Sequence, residues 1–318
     1  MPARGLNTPI VYLVFNRPEL TARVFARIRD ARPAALFVVA DGPRPDRPGE
    51  AEKCHQVREL IERGIDWPCE MVRDYSEVNL GCGGRVASGI TNAFKTVNEA
   101  IILEDDCLPD PTFFSFCAEL LERYRNEPRV GMISGSHHQL RPLAGRGSYY
   151  FCRYGNIWGW ATWRRAWQKF DLGMSDWPAW RDAGGVEALF RQKAVRDFWT
   201  RIWNEAAAGK YKTWDYQWTY CYLRHGMLGI LPNNALIENL GFGRNATHTK
   251  GHRDVGATVV PMSFPLRHPS TIEPDFEAEE LASARFFSEK PLWLRLVRRF
   301  LRMIDRYLNL PVGGRSIT

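Results

Sequence analysis

Glu104-Asp105-Asp106 follows directly on the apolar run Ala100-Ile101-Ile102-Leu103. A buried strand that runs into adjacent carboxylates delivers them to its carboxyl end, where open α/β sheets bind ligands. Side chains of an extended segment alternate, so Glu104 and Asp106 are expected on one face and Asp105 on the other. Close carboxylates repel, and a hard cation with oxygen ligands relieves that repulsion while presenting positive charge to a diphosphate. The triplet is therefore a candidate metal and diphosphate site. The competing reading is a solvated acidic turn ahead of a helix opened by Pro111.

Such a triplet needs a sheet to hold it. Apolar runs and their periods predict a strand over 10–15, a helix over 19–29, and a second strand over 35–40 that ends at Asp41-Gly42. A polar stretch with Pro43, Pro45 and Pro48 leads into a helix over 49–63, and 69–73 resembles a third strand. The turn Asn79-Leu-Gly-Cys-Gly-Gly84 precedes a helix over 85–97, then comes the strand before Glu104. Phe113, Phe116, Cys117, Leu120 and Tyr124 mark one face of an amphipathic helix, and 130–134 reads as another strand. Serial βα units of this kind imply a doubly wound α/β domain with a mainly parallel sheet.

After residue 135 the texture becomes aromatic and irregular. Strands are expected over 149–152, 228–231 and 236–239, and helices over 194–208 and 213–224, the latter with Thr213 as cap and Asp215 in its first turn. The acidic stretch 273–280 reads as the start of a surface helix. The chain thus divides into an α/β half over 1–135, an aromatic-rich half of the same domain over 136–272, and an extension over 273–318. No internal repeat or low-complexity tract interrupts it.

Composition narrows the class. At 318 residues and 45% hydrophobic, the chain can bury a sizeable core. Most of its twelve tryptophans fall between Trp158 and Trp218. That enrichment suits a carbohydrate-stacking surface, since pyranose faces present C–H groups to aromatic rings, and it equally suits a packed core. The net charge of +7 could serve phosphate, nucleic acid or an anionic membrane. Seven cysteines without a C-x-x-C pair supply neither a disulfide framework nor a zinc site. No basic-then-apolar leader opens the chain and no uncharged run approaches a bilayer span, so a soluble cytoplasmic protein is expected.

The tail has its own pattern. Leu292, Trp293, Leu296, Val297, Phe300, Ile304 and Leu308 recur at helical spacing, with Arg295, Arg299, Arg302 and Arg306 on the other side. A basic amphipathic helix over 291–308 fits an anionic membrane surface, peripheral on the inner face of the cytoplasmic membrane. It also fits docking on the parent domain or a second subunit.

The ordered motifs of residues 9–270 carry a resemblance. Pro9-Ile-Val-Tyr-Leu-Val-Phe-Asn-Arg-Pro18, Asp41-Gly42, Asn79-Leu-Gly-Cys82 and Ile101-Ile-Leu-Glu-Asp-Asp-Cys107 with Pro111-x-Phe113-Phe114 resemble a GT-A-fold glycosyltransferase. Ile157-Trp-Gly-Trp160, Thr213-Trp-Asp-Tyr-Gln-Trp218, Gly241-Phe-Gly243, Ala246-Thr-His-Thr249 and Phe264-Pro-Leu-Arg-His-Pro269 complete the pattern. It is similar to a bacterial group of nucleotide-diphospho-sugar transferases, also called hemolytic-protein-like, and more distantly to the inverting N-acetylglucosaminyltransferase I family.

The resemblance implies a metal-dependent inverting transferase, with Mn²⁺ or Mg²⁺ and a UDP-sugar donor, acting on a bacterial surface glycan or lipid-linked acceptor. Asp106 would be the direct metal ligand, Glu104 and Asp105 would address donor sugar and ribose, and Asp41 would read the uracil imide. Arg17 would contact phosphate, and Asp215 would be the catalytic base. Arg85 and His248 are further donor-site candidates, and Trp158, Trp160 and Trp214 are candidates for the acceptor. Asn245 departs from the bacterial group, which often carries Asp there. Three other readings compete: a sugar nucleotidyltransferase, a non-catalytic carbohydrate-binding protein and a nucleic-acid binder. The first normally needs a Gly-rich loop that Asn16-Arg-Pro-Glu19 does not provide, the second leaves the acidic triplet unexplained, and the third has no recognised motif.

Overall fold

The computed structural model describes residues 5–137, 147–241 and 258–287. Ten strands are formed among the described residues: β1 Ile10–Val14, β2 Ala35–Ala40, β3 Glu70–Tyr75, β4 Glu99–Glu104, β5 Cys107–Pro109, β6 Val130–Ser134, β7 Tyr149–Cys152, β8 Trp160–Trp163, β9 Leu228–Pro232 and β10 Ile237–Asn239. The helices are α1 Pro18–Ala31, α2 Glu50–Gly64, α3 Gly81–Ala93, α4 Thr112–Arg123, α5 Arg164–Trp167, α6 Trp177–Asp182, α7 Gly185–Leu189, α8 Lys193–Ala207, α9 Asp215–Arg224 and α10 Phe276–Ala282.

Eight strands make one sheet in the order β3-β2-β1-β4-β8-β6-β9-β7. β3, β2, β1, β4, β6 and β9 share a direction, while β8 and β7 run against them. The expected α/β class with a mainly parallel sheet is what forms. Parallel strands covered on both sides must be apolar throughout, and β1 is buried at all five positions. Alternation then divides it: Val11 and Leu13 join one core with Ile90 of α3 and the aromatic residues of α8 and α9, whereas Ile10, Tyr12 and Val14 join the other with α1, α2 and α4.

Local chemistry sets the element ends. Pro18 occupies the first turn of α1, where its missing N–H costs nothing, and Thr21, Val24, Phe25 and Ile28 form its buried stripe. α3 begins at Gly81 rather than at residue 85, because the Asp41 carboxylate accepts from Leu80 N at 2.9 Å and Gly81 N at 3.0 Å and so supplies a cap from the residue after β2. Thr213 is not the cap of α9: Trp214 holds that position, and the Thr213 hydroxyl instead donates to Asp215 Oδ1.

The acidic segment before the tail is not a surface helix throughout. Glu279 of α10 is buried and forms a two-pronged ion pair with Arg153 just beyond β7. Asp275 caps that helix through Ala278 N at 3.1 Å. Residues 291–308 lie outside the described residues, and no helix among the described residues is long and apolar enough to cross a membrane.

Candidate active site

β1, β2 and β4 are parallel neighbours, so their carboxyl ends share one sheet edge. Arg17 follows β1, Asp41 follows β2, and Glu104 ends β4 opposite Leu13. Asp105 and Asp106 form the turn into β5, and β10 pairs with β5 so that Asn239 faces Cys107. Asp105 is buried while Glu104 and Asp106 are partly open.

Arg17 bridges the acids. Its Nε meets Asp105 Oδ2 at 3.2 Å, Nη2 bonds Asp105 Oδ1, and Nη1 meets Asp106 Oδ2 at 2.9 Å. Burial works against the guanidinium charge, but Asp105 and Asp106 override it and keep Arg17 protonated well above its ordinary range. Burial and then the charges of Asp106 and Asp105 push the Glu104 carboxyl upward, with Arg17 opposing and Asp215 adding to the effect. Asp105 is also pushed up, by burial first, while Arg17 and the Phe15 backbone N–H pull the other way. Its expected contact with the donor is not available in this arrangement, because it is 2% exposed and occupied by Arg17.

α3 and α9 close the site from the Glu104 side. A Cβ on Gly83 would lie 2.9 Å from the Thr213 carbonyl oxygen, so a side chain there would force the helix away from the segment before Asp215. Burial, then Glu104, Asp215, Asp106 and Asp41, push the Cys82 thiol up to about 12. On the other flank Leu240 N donates to the Asp106 carbonyl at 2.7 Å. A Cβ on Gly241 would come within 2.4 Å of Asp106 Oδ2. Cys82, Gly83 and Gly241 were not singled out from sequence as site residues; the Asn-Leu-Gly-Cys and Gly-Phe-Gly motifs were their available signal.

Several expected site residues have other work. Asp41 accepts at Oδ1 from Gly42 N and Leu80 N, both at 2.9 Å, and at Oδ2 from Asn79 Nδ2 and Gly81 N, both at 3.0 Å. Two oxygens with two acceptor positions each are then filled, leaving none for a base imide. Arg85 is buried and tied to the Ala40 carbonyl at 3.1 Å, Asp74 Oδ1 at 2.7 Å and Ser88 Oγ at 3.1 Å, so it joins α3 to the sheet instead of facing a phosphate.

Trp160 and Trp214 are 0% and 1% exposed and stack on each other with centroids 5.4 Å apart, with Trp218 packed alongside. Neither offers a ring face to a sugar, because these large surfaces cover each other in the core. Trp158, half-buried, retains some open surface. His248 and Asn245 lie outside the described residues.

The donor set suits a hard cation. Asp106 Oδ1 has the weak Cys107 thiol as a neighbour at 3.6 Å, leaving a carboxylate oxygen for a metal. Among the described residues no group of three or more His, Cys, Asp or Glu side chains is arranged to hold a metal ion. A cation here would therefore rest on few protein oxygens and fill its shell from substrate or water, as Mg²⁺ commonly does with phosphates.

No protein-family model matches the sequence, and no curated protein matches it. Among solved structures, a mannosyltransferase from Pyrobaculum calidifontis in complex with GDP-Man and Mn²⁺ is similar at 15% identity, covering 70% of this chain and 71% of that one, with TM-score 0.39. HddC from Yersinia pseudotuberculosis matches at 11% identity over 50% of this chain and 77% of its own, with TM-score 0.32. A UDP-glucose pyrophosphorylase complexed with UDP-glucose matches at 10% identity over 51% and 70%, with TM-score 0.28. These overlaps are too loose to fix a shared activity.

Proposed function

We propose that this chain is a nucleotide-sugar-utilising transferase, and within that class a metal-dependent inverting glycosyltransferase. It would move a hexosyl or N-acetylhexosaminyl group from a UDP-sugar to a hydroxyl of a bacterial surface glycan or lipid-linked acceptor. The observation that carries the reading is the meeting of Glu104, Asp106 and Arg17 at the carboxyl edge of a parallel sheet with Asp215 at the first turn of α9 close by. When bound, a Mn²⁺ or Mg²⁺ on Asp106 supplies positive charge to the diphosphate.

Arg17 would donate Nη1 to the same leaving group while Asp105 holds its Nε and Nη2. Asp215 is the candidate base: it is partly open, and Thr213 Oγ1 fixes one of its oxygens through a hydrogen bond. A carboxylate held in this way can take the proton of an acceptor hydroxyl as that oxygen attacks C1. Glu104, kept high by burial and its neighbours, can donate a hydrogen bond to a sugar hydroxyl in its neutral form.

A sugar nucleotidyltransferase is the alternative. The Asn16-Arg17-Pro18-Glu19 loop disfavours it, since Pro18 already starts α1 and leaves no run of glycine N–H groups to cradle a triphosphate. With Asp41 engaged by α3, preference for uracil rests on the resemblance. A screen of UDP-, GDP- and other nucleotide-sugars for Mn²⁺-dependent donor hydrolysis tests the proposal. Release of nucleoside diphosphate supports transfer to water or acceptor, whereas pyrophosphate-dependent formation of a nucleoside triphosphate identifies the alternative.

A further inference from the structure

Arg17 holds the two acids unequally. Asp105 takes Nε and Nη2 together, and its side chain is 3% exposed; Asp106 takes Nη1 alone. A two-pronged, desolvated pair is the stronger anchor. The guanidinium can therefore give up Asp106 while remaining fixed on Asp105.

Asp106 has less freedom. Its carbonyl is pinned by Leu240 N, and Gly241 passes near enough that a Cβ there would lie 2.4 Å from its Oδ2. A cation on Oδ1 would share one carboxylate with Arg17 and be repelled by it across the width of that group. Since the acid cannot easily turn away, the guanidinium must yield.

We infer that Arg17 is a resident counter-cation for Asp106, so that a divalent cation and a diphosphate bind as a coupled pair. Resting on the proposed function, this deepens it. The diphosphate accepts from Nη1 and draws Arg17 off Asp106, and the released carboxylate is then free to serve the cation. Coupling of this kind is reciprocal: the nucleotide tightens the metal by the factor with which the metal tightens the nucleotide.

Calorimetric titration of Mn²⁺, alone and with saturating UDP, into the wild-type chain and Arg17→Gln tests the inference. The wild type should bind Mn²⁺ weakly alone and much more tightly with UDP. Arg17→Gln should bind Mn²⁺ alone about tenfold more tightly, and the gain from UDP should shrink about tenfold. Its melting temperature without metal should fall, from loss of the buried partner of Asp105, and Mn²⁺ should raise it more than in wild type. Arg17→Lys, with one point charge and no fork, should lie between the two and carries the comparison if Arg17→Gln does not fold. Variants that bind Mn²⁺ no more tightly than a wild type showing Mn²⁺-linked UDP binding overturn this inference alone. Absence of Mn²⁺ binding in every protein, with or without UDP, overturns it together with the proposed function.

Discussion

Gly83 in the first turn of α3 faces the Thr213 backbone, whose carbonyl oxygen would lie 2.9 Å from a Cβ at position 83. Thr213 in turn donates its hydroxyl to Asp215. The spacing between α3 and the candidate base is therefore set by a residue without a side chain. Gly83→Ala should cost about 1–3 kcal/mol through overpacking and should lower turnover more than donor affinity. Thermal denaturation with donor-hydrolysis kinetics checks this, and a variant as stable and active as wild type would show that the contact positions nothing.

Asp41 organises a loop. Replacing it with Asn keeps the shape but places an amide N–H₂ against N–H donors from residues 79–81, so Asp41→Asn should lose about 1–3 kcal/mol of stability. Nucleotide preference among donors should be unchanged. A stable variant that no longer discriminates UDP from other nucleotides would restore a base-reading role.

Asp215 and Asp106 should separate chemistry from binding. Asp215→Asn should reduce turnover by roughly a hundredfold or more with UDP affinity near wild type. Asp106→Ala should abolish Mn²⁺-linked UDP binding and leave the fold intact. Calorimetry beside single-turnover assays distinguishes them, and full activity in Asp215→Asn would move the base elsewhere.

Deletion of 291–318 should release the protein from anionic liposomes and spare hydrolysis of a soluble donor. Binding by the intact chain should weaken as salt rises, since exposed charges are screened within about 8 Å at physiological ionic strength. Liposome flotation reads both effects; equal flotation of full-length and truncated protein, or loss of soluble expression, points to a helix packed on protein.

Much of the α/β half was legible because parallel strands buried on both faces have to be continuous apolar runs, as 10–14, 35–40 and 100–103 are. Only Glu104 of the acidic triplet is in a strand, and the turn that carries Asp105 and Asp106 has no alternating period to read. β8 was missed because four residues, Trp160-Ala-Thr-Trp163, bury both faces and leave no period to detect. The start of α3 depends on a carboxylate some forty residues away, which no local pattern contains. Trp160 and Trp214 illustrate a different limit: composition specifies how much aromatic surface must be covered, and whether protein or sugar covers it is decided by tertiary packing.

The position of β8 fixes an order of events during synthesis. Ile102 at the centre of the sheet pairs on one side with β1, already made, and on the other its neighbour is Trp160. Until the ribosome has delivered that later strand, the nascent chain carries β3-β2-β1-β4 with the hydrogen-bonding edge of β4 bare and apolar. An uncovered edge of this kind templates association with other chains. A product ended at residue 135 should therefore be retained by chaperones or aggregate, with the acidic triplet left on a sheet whose edge the tryptophan-rich segment has yet to cover.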